Sequence, residues 1–249
     1  MGTTALRSLP EVVLADNSRI PANPAPSSKG VASFLEQVRQ TPAPHERSSR
    51  GRLVFALDAT MSRQATWDLA QGLQAQMFRT TAALGGLDVQ LVYFRGFAEC
   101  RASRFVADGA GLADLMSKIQ VQGGHTQIGK VLRHIREETG RAKVGAFVYV
   151  GDAMEEAVDD LAAIAGELGL LGVKGFMFHE GHDQSAGQAF REIARLTGGA
   201  YAAFDASAPG KLAGLLSAAA AYAAGGRMAL ERQAREGGEA AQKLLSQMR

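Results

Sequence analysis

The sequence predicts an α/β fold in which a doubly wound, mostly parallel sheet of six strands carries helices on both faces. Three observations carry that expectation. From Arg52 onward, short apolar runs alternate with segments of helical periodicity. The runs Val144–Val150 and Val173–Phe178 are almost continuously apolar, as strands covered on both faces must be. Most stretches between the runs are long enough for helical crossovers, the connection that parallel neighbours need.

In chain order the strands are Leu53–Leu57, Val89–Phe94, a small one near Arg104–Val106, Val144–Val150, Val173–Phe178 and a weaker run at Ala200–Phe204. Helices are expected over residues 63–83, 110–119, 127–138, 154–167 and 186–196, with Ala208–Ala223 closing the fold. Trp67, on the first helix, reads as a packing residue rather than a contact for a partner. Residues 52–225 thus form one predicted domain. The composition of the 249 residues, 46% hydrophobic and 21% charged, suits one substantial core.

Residues 1–51 read as an extension, with Pro21, Pro24, Pro26, Pro42 and Pro44 and a Ser48-Ser49 exit. Within it Val31, Phe34, Leu35 and Val38 fall at helical spacing after Ser27 and Ser28, which predicts one short amphipathic helix, docked on the domain rather than held out for a partner in the favoured of two readings. Residues 226–249 form a helical tail interrupted at Gly237-Gly238, with Leu230, Gln233, Ala240, Ala241, Leu244, Leu245 and Met248 on a broken helical pattern. That pattern allows the tail either to dock back or to reach a partner.

The net charge of +2 conceals an uneven distribution. Residues 1–51 hold 6 basic and 4 acidic groups and residues 226–249 hold 5 and 3, which leaves 16 basic against 18 acidic between them. A slightly acidic domain has no basic stripe for a phosphate backbone, so nucleic acid is not the expected partner. No stretch approaches the roughly 18 apolar residues of a membrane span, and the start lacks a signal-peptide pattern. The single cysteine, Cys100, fits a reducing compartment, and a cytoplasmic protein is expected.

In open sheets of this kind ligands collect beyond the carboxyl ends of the strands. Three polar turns fall there: Asp58-Ala59-Thr60-Met61-Ser62 after the first strand, Gly123-Gly124-His125-Thr126 before the 127–138 helix, and Gly151-Asp152 after the 144–150 strand. Two carboxylates and three hydroxyls are hard oxygen donors, the set that a magnesium-like ion prefers. The alternation of Asp58, Thr60 and Ser62 lets a tight loop aim all three at one point, and the paired glycines let Thr126 come close.

These residues, in this order and spacing, resemble the von Willebrand factor A (VWA) family and its metal-ion-dependent adhesion site, built from D-x-S-x-S, a distant Thr and a later Asp. The resemblance covers about residues 52–224. It implies a Rossmann-like sheet within six helices, and a Mg²⁺ or Mn²⁺ ion held directly by Thr60, Ser62 and sometimes Thr126. Asp58 and Asp152 would act largely through water. It also implies a binding role rather than an enzymatic one: an Asp or Glu of a partner protein completes the ion's shell, in the manner of intracellular relatives that work beside ATPases or in other multi-subunit assemblies. Thr60 departs from the usual Ser, keeping the hydroxyl but adding a methyl that crowds the loop.

His125, Glu155, His179 and His182 are candidates for the rim that meets the partner. Glu155 and Glu156 are also expected in the first turn of a helix, where negative charge is favoured with or without a ligand. Three other readings compete. In a metal-free scaffold, Thr126 and Asp152 would be helix caps. In a nucleotide hydrolase, Gly124–Lys130 would be a phosphate loop, although Val131 replaces the hydroxyl that would hold Mg²⁺. In a phosphatase of the haloacid-dehalogenase type, Thr60 stands where a second Asp is required.

Overall fold

The computed structural model describes residues 50–60, 64–205 and 208–248. The predicted extension with its short helix, apart from its last two residues, and Ser62 lie outside the described residues. β1 (Gly51–Asp58), β2 (Leu87–Arg95), β3 (Glu99–Val106), β4 (Ala146–Gly151), β5 (Lys174–Glu180) and β6 (Ala200–Phe204) form one sheet in the order β3-β2-β1-β4-β5-β6. All neighbours are parallel except β2 and β3. Around it lie α1 (Gln64–Thr81), α2 (Gly109–Ser117), α3 (Ile128–Arg141), α4 (Val158–Leu170), α5 (Gln184–Leu196), α6 (Pro209–Arg235) and α7 (Glu239–Leu245).

The two-residue period of β1 divides the core. Leu53, Phe55 and Leu57 face one layer with Trp67, Leu112, Leu216 and Leu244, from α1, α2, α6 and α7. Val54 and Ala56 face the other with Ile128, Leu161 and Phe190, from α3, α4 and α5. Because both faces are covered, every residue of β1 from Leu53 onward is buried, which explains its unbroken apolar run. Each large side chain buried this way stabilises the fold by about 1.5–3 kcal/mol. Trp67 is only 2% exposed and meets Tyr93 edge to face, the packing role expected of it.

Three elements differ from the sequence expectation. β3 runs from Glu99, not from Arg104, because an antiparallel edge strand tolerates polar residues on its solvated side; Glu99 pairs with Arg95 and Arg101 there. The helix expected over 154–167 begins at Val158, because the side chains of Glu155 and Glu156 are drawn across to the start of α3 and hold their own segment as a loop. The closing helix continues past Ala223 to Arg235 and bends at Gly226, whose φ of 66° only glycine adopts without strain.

The bend returns the tail to the domain. Leu230, Ala241, Leu244 and Met248 are buried in the same layer as Leu53 and Phe55. Gln247 then pairs with the outer edge of β6, its amide accepting from the Tyr201 N–H at 3.0 Å and donating to the Tyr201 carbonyl at 2.9 Å. Of the two uses the tail pattern allowed, docking is the one adopted. Among the described residues no helix is long and apolar enough to cross a membrane.

Candidate metal centre

The carboxyl ends of β1 and β4 are neighbours, since Leu57 pairs with Val150 in parallel register. Asp58 closes β1 and Asp152 follows β4 directly, so the sheet brings both residues to the same edge. Asp58 is 2% exposed, and its Oδ1 accepts the Thr60 backbone N–H at 2.7 Å, which tightens the turn and buries Thr60.

Two backbone ties bring the third turn over. Gln122 N–H donates to the Ala59 carbonyl at 3.0 Å, and His125 N–H donates to the Gly96 carbonyl at 3.1 Å. The approach is close enough that a Cβ on Gly124 would lie 2.0 Å from the Gly96 carbonyl oxygen. Only glycine fits there. Thr126 is thereby buried at the edge, where its Oγ1 donates to Glu155 Oε2 at 2.6 Å, its N–H donates to the same oxygen at 3.0 Å, and Glu155 N–H donates back to Oγ1 at 3.2 Å. A hydroxyl has one hydrogen and two lone pairs, so this arrangement leaves one lone pair of Thr126 uncommitted.

Glu156 does the companion task. Its carboxylate accepts the backbone N–H groups of Ile128 and of Gly129, the latter at 2.9 Å, and so caps α3, whose own N-cap residue Gln127 makes no capping bond. Burial raises the Glu156 carboxyl above its ordinary range; these two amide hydrogen bonds pull the other way. Neither Thr126 nor Asp152 occupies a helix N-cap position: Gln127 stands there in α3 and Ala157 in α4. The capping roles that a scaffold reading would give them are not the roles they have.

The rim candidates separate. His125 is exposed, with its ring 5.1 Å from that of Phe97, itself 77% exposed. Glu155 is exposed, with its carboxylate turned onto the Thr126 hydroxyl and amide. His179 is not at the rim: β5 extends through it to Glu180, and it is 2% exposed. Its Nε2 lies 3.3 Å from the Asp152 carbonyl and its Nδ1 2.9 Å from the Tyr201 hydroxyl. A carbonyl only accepts, so Nε2 carries the hydrogen and Nδ1 accepts from the tyrosine. Burial lowers this histidine's pKa, in keeping with a neutral ring. His182 is exposed beside a cavity of about 340 Å³ lined also by Arg191 and Tyr201, with the Arg191 guanidinium 4.4 Å above the Tyr201 ring.

Sequence reading missed the partnership of Glu155 and Glu156 with the α3 entry. No local signal marked it: by spacing Thr126 reads as the cap of that helix, whereas Gln127 stands at the N-cap position and makes no capping bond. It missed Tyr149 too. This residue is fully buried, and burial, reinforced by the negative charges of Asp58, Glu156, Asp152 and Glu155, holds its phenol well above the ordinary value. Among the described residues no three His, Cys, Asp or Glu side chains form a metal-binding group, so any ion held here relies on hydroxyl oxygens. Lys130, the lysine of the phosphate-loop pattern, donates to the Ala98 carbonyl and to Gln127 Oε1, which directs it onto the β2–β3 hairpin.

The chain matches no protein-family profile and no curated protein. Among solved structures it is similar to the SpRpn10 VWA domain, at 11% identity and a TM-score of 0.53 over 66% of this chain and 95% of that one. It is also similar to proximal thread matrix protein 1 from the mussel byssus, in the form with a zinc-occupied metal-ion-dependent adhesion site, at 16% identity and a TM-score of 0.55 over 69% of this chain and 46% of that one. A third likeness is to the pilus adhesin SpaC from Lactobacillus rhamnosus GG in its open conformation, at 11% identity and a TM-score of 0.50, over 70% of this chain and 31% of that one. The fold is that of a VWA domain.

Proposed function

We propose that the chain is a protein-binding module that captures an acidic side chain of another protein through a divalent ion, Mg²⁺ or Mn²⁺, at the carboxyl edge of its sheet. Asp58 and Asp152 would supply carboxylates, and Thr60, Ser62 and Thr126 hydroxyl oxygens. The observation that carries this reading is the state of Thr126. Its hydroxyl gives its hydrogen to Glu155, takes one from the Glu155 amide and keeps a lone pair for a cation. The donors are all hard oxygens, and a set of hydroxyls with two carboxylates leaves room in the coordination shell for water and an outside ligand, so the residues fit a magnesium-like ion.

When bound, the ion supplies an open coordination position for that carboxylate. The chain's own residues do the rest. Gly124 lets the Thr126 turn close, Glu155 orients the hydroxyl, and the exposed Phe97–His125 pair offers an aromatic surface beside the edge for the partner's flanking residues. The mussel protein with zinc in its adhesion site and the Rpn10 domain lend this reading support by likeness of fold, and a role within a multi-subunit assembly of the cytoplasm is part of the same proposal. Binding, not bond cleavage, is the function we infer. The engagement of Lys130 with the hairpin argues against the nucleotide-hydrolase alternative.

One observation favours a second reading, a metal-free scaffold: the Thr126–Glu155 and α3–Glu156 bonds hold the edge together by themselves. Thermal unfolding with Mg²⁺ or with a chelator separates the two. At free Mg²⁺ a hundredfold above its Kd, the native state gains about 2.7 kcal/mol. Asp58→Ala and Thr126→Ala are expected to fold but to lose that gain, together with calorimetric Mg²⁺ binding. An equal metal response in wild type and both variants would overturn the proposal.

A further inference from the structure

Tyr149 stands on β4 two residues before Gly151, near the edge that carries the proposed centre. Packing accounts for its ring, which stacks on Phe94 with centroids 6.2 Å apart and meets Phe190 edge to face at 5.2 Å. Packing does not account for its hydroxyl. The Tyr149 Oη is buried and has no hydrogen-bond partner among the described residues, a cost that a phenylalanine of the same shape would avoid.

The direction of the side chain explains where that hydroxyl is aimed. Tyr149 pairs with Ala56 and Val150 with Leu57, so Asp58 and Gly151 come next on their strands, and Tyr149 and Asp58 share a face of the sheet. Gly151 carries no side chain on that face. A Cβ there would lie 2.8 Å from both Oη and Cε1 of Tyr149. The phenol therefore occupies the space beneath Gly151 and reaches toward the end of the strand, where the charges of Asp58, Asp152, Glu155 and Glu156 act on it. Any other residue at 151 would close that passage.

We infer that Tyr149 is a positioning residue of the metal centre, its hydroxyl held beneath Gly151 to donate a hydrogen bond to an acceptor oxygen that comes within reach only when the centre is loaded. The inference rests on the metal-binding reading above. It makes the hydroxyl a burden in the metal-free protein and an asset in the loaded one, so a single atom changes sign between the two states.

Tyr149→Phe in the full chain tests this through two readouts. Without metal and with chelator present, the variant is expected to be at least as stable as wild type in urea. In calorimetric titration with Mg²⁺, its Kd is expected to weaken by about threefold to tenfold, the worth of one hydrogen bond. A variant that loses stability without metal, or binds Mg²⁺ as tightly as wild type, overturns the inference. Asp58→Ala distinguishes the two levels of failure. If wild type binds Mg²⁺, Asp58→Ala does not and Tyr149→Phe is unchanged, only the role of Tyr149 falls. If wild type itself ignores Mg²⁺, the metal-binding reading falls and this inference with it.

Discussion

Replacing Glu156 by alanine removes the carboxylate that accepts the Ile128 and Gly129 amides at the start of α3. Loss of a side-chain cap typically costs about 0.5–2 kcal/mol. Here the acceptor is charged and serves two donors at a partly buried helix end, which raises the expected cost to about 2–3 kcal/mol. In a chain of this size each kcal/mol moves Tm by about 2–4 °C, so the variant is expected to melt about 4–12 °C lower. Glu156→Gln keeps one acceptor oxygen and removes a charge that burial opposes, so its loss is expected to be smaller. The assay is the urea midpoint at unchanged slope, which isolates stability from changes in the unfolded state. An alanine variant within about 0.5 kcal/mol of wild type would refute the assignment of Glu156 as the cap of α3, because ordinary surface substitutions fall in that range.

Gln247→Ala removes the side-chain amide that stands in for a neighbouring strand at β6, so the Tyr201 amide is expected to exchange its hydrogen about tenfold faster, read by hydrogen-exchange NMR, with a loss of about 1 kcal/mol or less in global stability. Stability is also expected to fall on mild acidification. Burial lowers the pKa of His134, which sits against Gln90 Oε1 at 3.0 Å, and that of His179. Below the unfolded value near 6.5 the unfolded chain takes up protons that the folded chain refuses, so the contribution is whole above that pH and declines below it, by at most about 1.4 kcal/mol per pH unit for each histidine. Urea midpoints between pH 7.5 and 5.5 check the sign, and a His134→Gln variant is expected to show a shallower decline.

The strands and most helices were legible because burial imposes a period on the residues that form them. β1 and β4 announce themselves as apolar runs, and their ends announce polar turns. Even the edge strand β3 is half visible, its inner residues apolar and its outer ones charged. The tail was legible as an interrupted apolar stripe, but not its destination: Gln247 reaches Tyr201 across 46 residues, and no local pattern encodes which edge of a sheet a glutamine will meet.

The candidate site divides in the same way. Asp58, Thr60, Thr126 and Asp152 are proposed from reading alone, since each follows an apolar run or a glycine pair with the donor chemistry of a hard cation. Glu155, Glu156 and Tyr149 cannot be, because their importance depends on β4 lying beside β1 and on α3 starting where the β4 loop can reach it. Local periodicity is a property of neighbours in the chain, so composition and spacing determined the elements and the kind of atoms at their ends. Which of those ends meet, which hydroxyl is tied and which is left beneath a glycine, were decided by strand order and close packing, interactions between residues that the covalent chain keeps far apart.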